Sequence, residues 1–179
     1  MTKLDECKWL PDIVECKDFG KWNEYLEEIY EIFKKDFIYS RPIFEGKGVN
    51  FRRAPMDGKY EHTFTHLTHK DEYHNSTNPN DIIPDPRRAE RIGWNKPIIE
   101  NCLCDENCNN CEKILYFEKY YKKNARAYFL FKNVKFLVII EKREKYNLLI
   151  TGYYVEYENA MNKFLREYEQ YKKQKTPLT

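Results

Sequence analysis

The sequence predicts an α+β fold: a four-stranded antiparallel β-meander with helices packed on one face, plus an N-terminal helix and small hairpin. Two observations predict it. After residue 113 the chain turns into aromatic and β-branched runs separated by short polar turns, the pattern of consecutive strands. At both ends of the chain the apolar residues instead recur every three or four positions, the spacing of a helix with one buried face. Hydrophobic residues make up 41% of the 179 positions, enough for a packed core and too many for a disordered chain.

The first helix is expected over residues 18–37, where Trp22, Tyr25, Leu26, Ile29, Tyr30, Phe33 and Phe37 form the apolar stripe and Asp18 is placed to cap it. Arg41-Pro42 ends it. Ile43-Phe44 and Val49-Asn50-Phe51 flank Glu45-Gly46-Lys47-Gly48, a hairpin signal, and a second turn follows at Pro55-Met56-Asp57-Gly58. Residues 75–86 carry Asn-Pro, Ile-Pro and Asp-Pro steps and read as a surface loop delivering the chain to a helix that starts near Pro86 and is bent or interrupted at Pro97. Four strands are expected at 114–121, 126–131, 135–142 and 146–157, and a last helix carries Ala160, Met161, Phe164, Leu165, Tyr168 and Tyr171. This divides the chain into an N-terminal helical segment (1–40), one α+β domain (41–173) with a Cys-rich loop at 102–111, and a frayed tail (174–179).

The formal charge of +2 excludes a globally basic nucleic-acid binder, so any basic footprint is local. No secretory signal and no apolar run of about 18 residues is visible. The expectation is a cytoplasmic protein without a membrane partner, whose six cysteines are reduced thiols or metal ligands rather than disulfides. Cys102, Cys104, Cys108 and Cys111 form a C-x-C-x3-C-x2-C loop. They are candidate ligands for one structural, tetrahedral Zn²⁺, the alternative being free or redox-sensitive thiols.

Four histidines fall close together, His62, His66, His69 and His74. His62 and His66 would share a face on a helix, but Thr63, Phe64 and Thr65 favour a strand, and no carboxylate sits at a ligand spacing. A single histidine acting as a proton shuttle is the better reading. The basic run from Arg87 to Lys96 puts Arg87 and Arg91 one helical turn apart with Arg88 adjacent, and guanidinium forks bind phosphate bidentately. Thr151 and Tyr153 offer hydroxyls from the last strand, with Gly152 between them permitting close approach.

Taken singly, each of these is more often ordinary surface or core. Their succession is more specific: R-R-x-P-x-D-G-K (52–59), F-T-H-L-T (64–68), D-P-R-R-A-E-R-I-G-W with P-I-I-E (85–100), F-L-V-I-I-E-K-R (136–143), L-I-T-G-Y-Y-V (149–155) and L-R-E-Y-E (165–169). It resembles a phage- and mobile-element-associated group of small proteins that is similar to the barnase, EndoU, colicin and RelE class of metal-independent ribonucleases. The resemblance covers residues 41–171 and departs at Gly152, where an Ala is expected. It implies a four-stranded antiparallel sheet with packed helices, His66 as acid or base, Arg88 and Arg91 as phosphate binders, and Thr151 with Tyr153 lining the site.

The implied reaction is attack of a ribose 2′-oxygen on the adjacent phosphorus to give a cyclic phosphate, with RNA as partner and no cofactor for the chemistry. Tyr60, Trp94 and the strand aromatics are the candidate platforms for stacking an unpaired base. Two other readings stay open. One is a non-catalytic RNA- or protein-binding module of a phage-defence or toxin–antitoxin pair, with an inhibitor or antitoxin partner. The other is a zinc-stabilised adaptor that recognises its partner through the Cys loop.

Overall fold

The computed structural model describes residues 7–72 and 81–175; His74, the first half of the loop expected at 75–86, and the end of the tail at 176–179 lie outside the described residues. Helix α1 (Trp22–Phe33) follows a single turn, Phe19–Lys21, that Asp18 caps by accepting a hydrogen bond from the Gly20 N–H at 2.9 Å. It buries Tyr25, Leu26, Ile29 and Phe33, and a wider π turn over Lys34–Tyr39 adds Phe37. These side chains join the same core as the sheet, so the N-terminal helix contributes to the main packing unit.

Strands β1 (Ile43–Phe44) and β2 (Lys47–Asn50) form the expected hairpin, closed by Glu45 and Gly46, which both take positive φ (49° and 73°) as a tight two-residue turn demands. Thr63, Phe64 and Thr65, which favour a strand by residue type, lie instead in helix α2 (His62–Thr68). The reason is tertiary: the helix puts Phe64, Leu67 and Thr68 into the core together with Thr63 and leaves the imidazoles outward, and that burial overrides the β preference of Thr and Phe. Its first amides are satisfied by backbone, His62 N–H donating to the Arg53 carbonyl at 2.9 Å and Thr63 N–H to that of Arg52 at 3.0 Å.

A small ribbon of β3 (His69–Asp71) and β4 (Ile82–Pro84) leads to α3 (Pro86–Ala89), capped by Asp85. The basic segment is then broken into three short pieces, α3, a turn at Ile92–Trp94 and α4 (Asn95–Glu100), with the break before Pro97 rather than at it.

Strands β5 (Ile114–Tyr121), β6 (Asn124–Phe131), β7 (Phe136–Lys142) and β8 (Asn147–Tyr154) run antiparallel in sequence, and α5 (Glu158–Lys175) closes the described chain. The fold is α+β as expected, but the sheet is larger than a four-stranded meander. The hairpin adds to it through a parallel pairing of β2 with β8, giving a mixed six-stranded sheet in the order β1-β2-β8-β7-β6-β5. Asn147 fastens the joint by donating from Nδ2 to the Phe44 carbonyl at 2.9 Å.

Helices cover both faces, not one. Along β7 the alternate residues Phe136, Val138 and Ile140 join the core built with α1, α2 and α4, while Leu137 and Ile139 pack with Met161 and Phe164 of α5. A strand apolar on both sides requires a cover on both sides. No described helix is long and apolar enough to cross a membrane.

Candidate functional site

The parallel pairing of β2 with β8 involves only Val49 with Asn147 and Asn50 with Leu148. Helices α2 and α3 also pack against β8. The C-terminal end of α2 abuts the start of α3, where Asp85 N–H donates to the Thr68 carbonyl at 2.9 Å. Arg88 ties the junction: its Nη1 donates to the carbonyls of His66 at 2.9 Å and His69 at 3.3 Å, its Nε faces the Asp85 carboxylate at 3.5 Å, and its guanidinium lies 5.3 Å from the centre of the Tyr153 ring. A cation at these carbonyls opposes the partial negative charge at the end of a helix.

In front of this junction lies a cavity of about 440 Å³ whose walls include His62, His66, His69, Asp57, Asp71, Lys70 and Arg88. The helical geometry of α2 sets His62 and His66 one turn apart with their rings stacked, 6.1 Å between centres and 14° between planes. His69 follows the helix; its Nδ1 lies 2.9 Å from Thr68 Oγ1 and the Trp22 ring meets it edge-on at 5.9 Å.

All three imidazoles are shifted toward the neutral form, in each case chiefly by loss of hydration. His66 is displaced furthest, to about 4: burial dominates, the Arg88 and His62 charges add to it, and Asp71 opposes. By area the residue is exposed, and it lines the cavity. His62 is lowered by burial and by Arg52, and His69 by burial against the pull of Asp57 and Asp85. The neutral imidazole is the form that can take up a proton, which is what a general base must do.

Of the residues singled out from sequence, His66 and Arg88 line the cavity; Arg91, Thr151 and Tyr153 do not. Arg91 is 6% exposed, donates from Nη1 to the Arg87 carbonyl at 3.0 Å, pairs with Glu90, and lies over the Trp94 and Tyr154 rings. Thr151 is buried in β8, and Tyr153 backs Arg88, its phenol pushed up to about 12 by burial. Cys102, Cys104, Cys108 and Cys111 are half-buried and free of disulfides. Among the described residues no group of three or more His, Cys, Asp or Glu side chains is gathered as metal ligands would be. His62 and His69, grouped with His66 from the sequence but set aside in favour of a single histidine, also line the cavity, and Asp57, Asp71 and Lys70 are wall residues given no role from the sequence. The four-residue spacing of His62 and His66 already aligned these two side chains in the sequence; what it could not show is that the segment is a helix ending beside Arg88.

Arg88 gives this site a direct test. Arg88→Met keeps the length and apolar stem but removes both hydrogen bonds to the end of α2, each of the charge-assisted kind worth about 1.5–3 kcal/mol. The expected result is a loss of about 3 kcal/mol or more in urea denaturation and an upward move of the His66 titration in NMR, since a nearby positive charge is gone. An unchanged His66 titration would show that the two are not electrostatically coupled.

A scan against protein-family models, a search of curated proteins and a search of solved structures each return no match to this chain.

Proposed function

We propose that the cavity is the active site of an endoribonuclease that cleaves RNA by attack of the 2′-hydroxyl. The observation that carries this reading is the convergence of two outward imidazoles of one helix, His62 and His66, with the charges of Arg88 and Lys70 in a single cavity. His66, neutral at physiological pH, takes the proton of the 2′-hydroxyl as its oxygen attacks phosphorus. The bond from phosphorus to the 5′-oxygen breaks, and that oxygen takes a proton from His62. The anionic phosphate itself raises the pKa of His62 on binding, which supplies the protonated acid. The positive charges of Arg88 and Lys70 stabilise the extra negative charge on the phosphoryl oxygens in the transition state. The products are a 2′,3′-cyclic phosphate and a free 5′-hydroxyl.

The test is incubation of purified protein with mixed RNAs in EDTA, followed by end-group analysis of the fragments. Fragments ending in cyclic phosphate are the expected result. RNA binding without cleavage across transfer, ribosomal and messenger RNA would overturn the enzyme reading in favour of a non-catalytic binding module.

A further inference from the structure

Trp94, expected as a stacking platform, is fully buried, and its Nε1 donates to the Pro11 carbonyl at 2.9 Å. Tyr60 is closed in by the Tyr30 and Phe64 rings, each 4.9 Å away, and by its hydroxyl bond to Glu27. Neither can receive a base. The large apolar side chains left on the surface are more telling. Tyr120 and Tyr121 stand at the β5–β6 turn, at the sheet edge remote from β8, with the Arg126 guanidinium already lying 3.7 Å over Tyr121. Phe19 is 62% exposed and stacks on Trp22, 6.4 Å between ring centres and 13° between planes. Trp22 in turn meets His69, a wall of the cavity. Met56, half exposed, lines the same cavity.

We propose that Phe19, braced by Trp22, is the stacking platform for an unpaired nucleobase next to the scissile phosphate, so that the substrate is a single-stranded segment and not the interior of a duplex. The proposal rests on the ribonuclease reading for the identity of the phosphate, but the platform is a binding site in its own right. An exposed phenyl ring costs free energy in water and gains it when a base covers its face, whichever base that is. Trp22 holds Phe19 from one side, leaving its outer face for the ligand, and Phe19 stands only two ring contacts from the His69 wall. A base on Phe19 would thus lie beyond the His69 side of the cavity, where Lys70 and Arg88 are placed to meet the backbone charge of the same strand. In a duplex the bases are already stacked and paired, and the platform has nothing to add.

The probe is a fluorescein-labelled ten-nucleotide strand with 2′-O-methyl riboses, which binds but cannot be cleaved because the attacking hydroxyl is blocked. Wild type is expected to bind it with quenching of tryptophan fluorescence. Phe19→Ala weakens binding about 5- to 100-fold, the loss typical of one stacked base, Phe19→Leu weakens it similarly, and Phe19→Trp restores it. A duplex of the same sequence shows no dependence on residue 19. Equal binding of the strand by wild type and Phe19→Ala overturns the platform, as does Phe19→Leu binding like wild type, which would mark a merely apolar contact. Failure of wild type to bind any single strand also overturns it. Binding that depends on Phe19 in a protein that cleaves no RNA would instead remove the nuclease reading and leave the platform standing.

Discussion

His66→Ala is expected to lower RNA cleavage by about 10²- to 10⁴-fold, the usual worth of a positioned general base, while thermal unfolding stays cooperative. The side chain faces the cavity, and its backbone carbonyl, the group Arg88 uses, is retained in the variant. The wild-type pH profile carries the sharper signature. An ordinary imidazole would lose its base form below about 6.5, so activity would fall through the range just under neutrality. With its pKa held near 4, chiefly by loss of hydration, His66 stays unprotonated far below that, and the acid limb of kcat/KM is expected near pH 4.

The same displacement sets a direction for stability. Between about 6.5 and about 4 the unfolded chain binds a proton at residue 66 that the native protein does not, so stability rises with pH across that window and is lost as the pH falls through it. His66→Ala should flatten this part of the curve in urea denaturation at stepped pH. An acid limb that stays near 6.5, with a matching NMR titration of His66, would sink the assignment of a dehydrated base.

How much of this was legible beforehand follows the range of the interactions involved. Strand β5 begins and ends where alternation and turn residues place it, and α1 and α5 follow their apolar stripes, because local periodicity decides each of them. The parallel contact between β2 and β8 left no mark: it joins residues about a hundred positions apart through two register pairs, and no local pattern encodes it. Thr63-Phe64-Thr65 is a good strand sequence, and only the burial of Phe64, Leu67 and Thr68 against the core makes this stretch helical.

The candidate site divides in the same way. His66 and Arg88 meet because the end of one short helix abuts the start of another; the helix start near Pro86 is readable from the sequence, but what it abuts is not. Arg91, three residues on, leaves the far side of that turn and is taken up by Glu90, Trp94 and Tyr154. Thr151 and Tyr153 belong to β8, and β8 lies behind Arg88 rather than in the cavity wall.

Gly152→Ala is expected to be among the most damaging small substitutions in the chain, although the resemblance at the sequence level leads one to expect alanine there at little cost. A Cβ built on Gly152 would fall 1.7 Å from Asn95 Oδ1 and 2.9 Å from its Cγ, well inside any real contact. Asn95 cannot step aside cheaply. It is 1% exposed and its Nδ2 donates to the Ile92 carbonyl at 2.9 Å, while its Oδ1, with no protein donor, lies in the space that a Gly152 Cβ would occupy. Making room means either pushing α4 off the inner face of β8 or turning the amide out of its one hydrogen bond, and overpacking of this kind costs about 1–3 kcal/mol before the lost bond is counted.

The expected loss is therefore about 3 kcal/mol in denaturant unfolding. Because Gly152 and Asn95 compete for one space, the effect must be coupled. Asn95→Ala alone should cost something, since it empties the space and strands the Ile92 carbonyl. Combined with Gly152→Ala, however, the two methyls refill the volume, and the double variant should be more stable than Gly152→Ala alone by more than 1 kcal/mol, beyond the scatter of additive sites. Strictly additive losses, or a Gly152→Ala protein within about 0.5 kcal/mol of wild type, would mean that the amide has a second resting place and that glycine is not required by this contact.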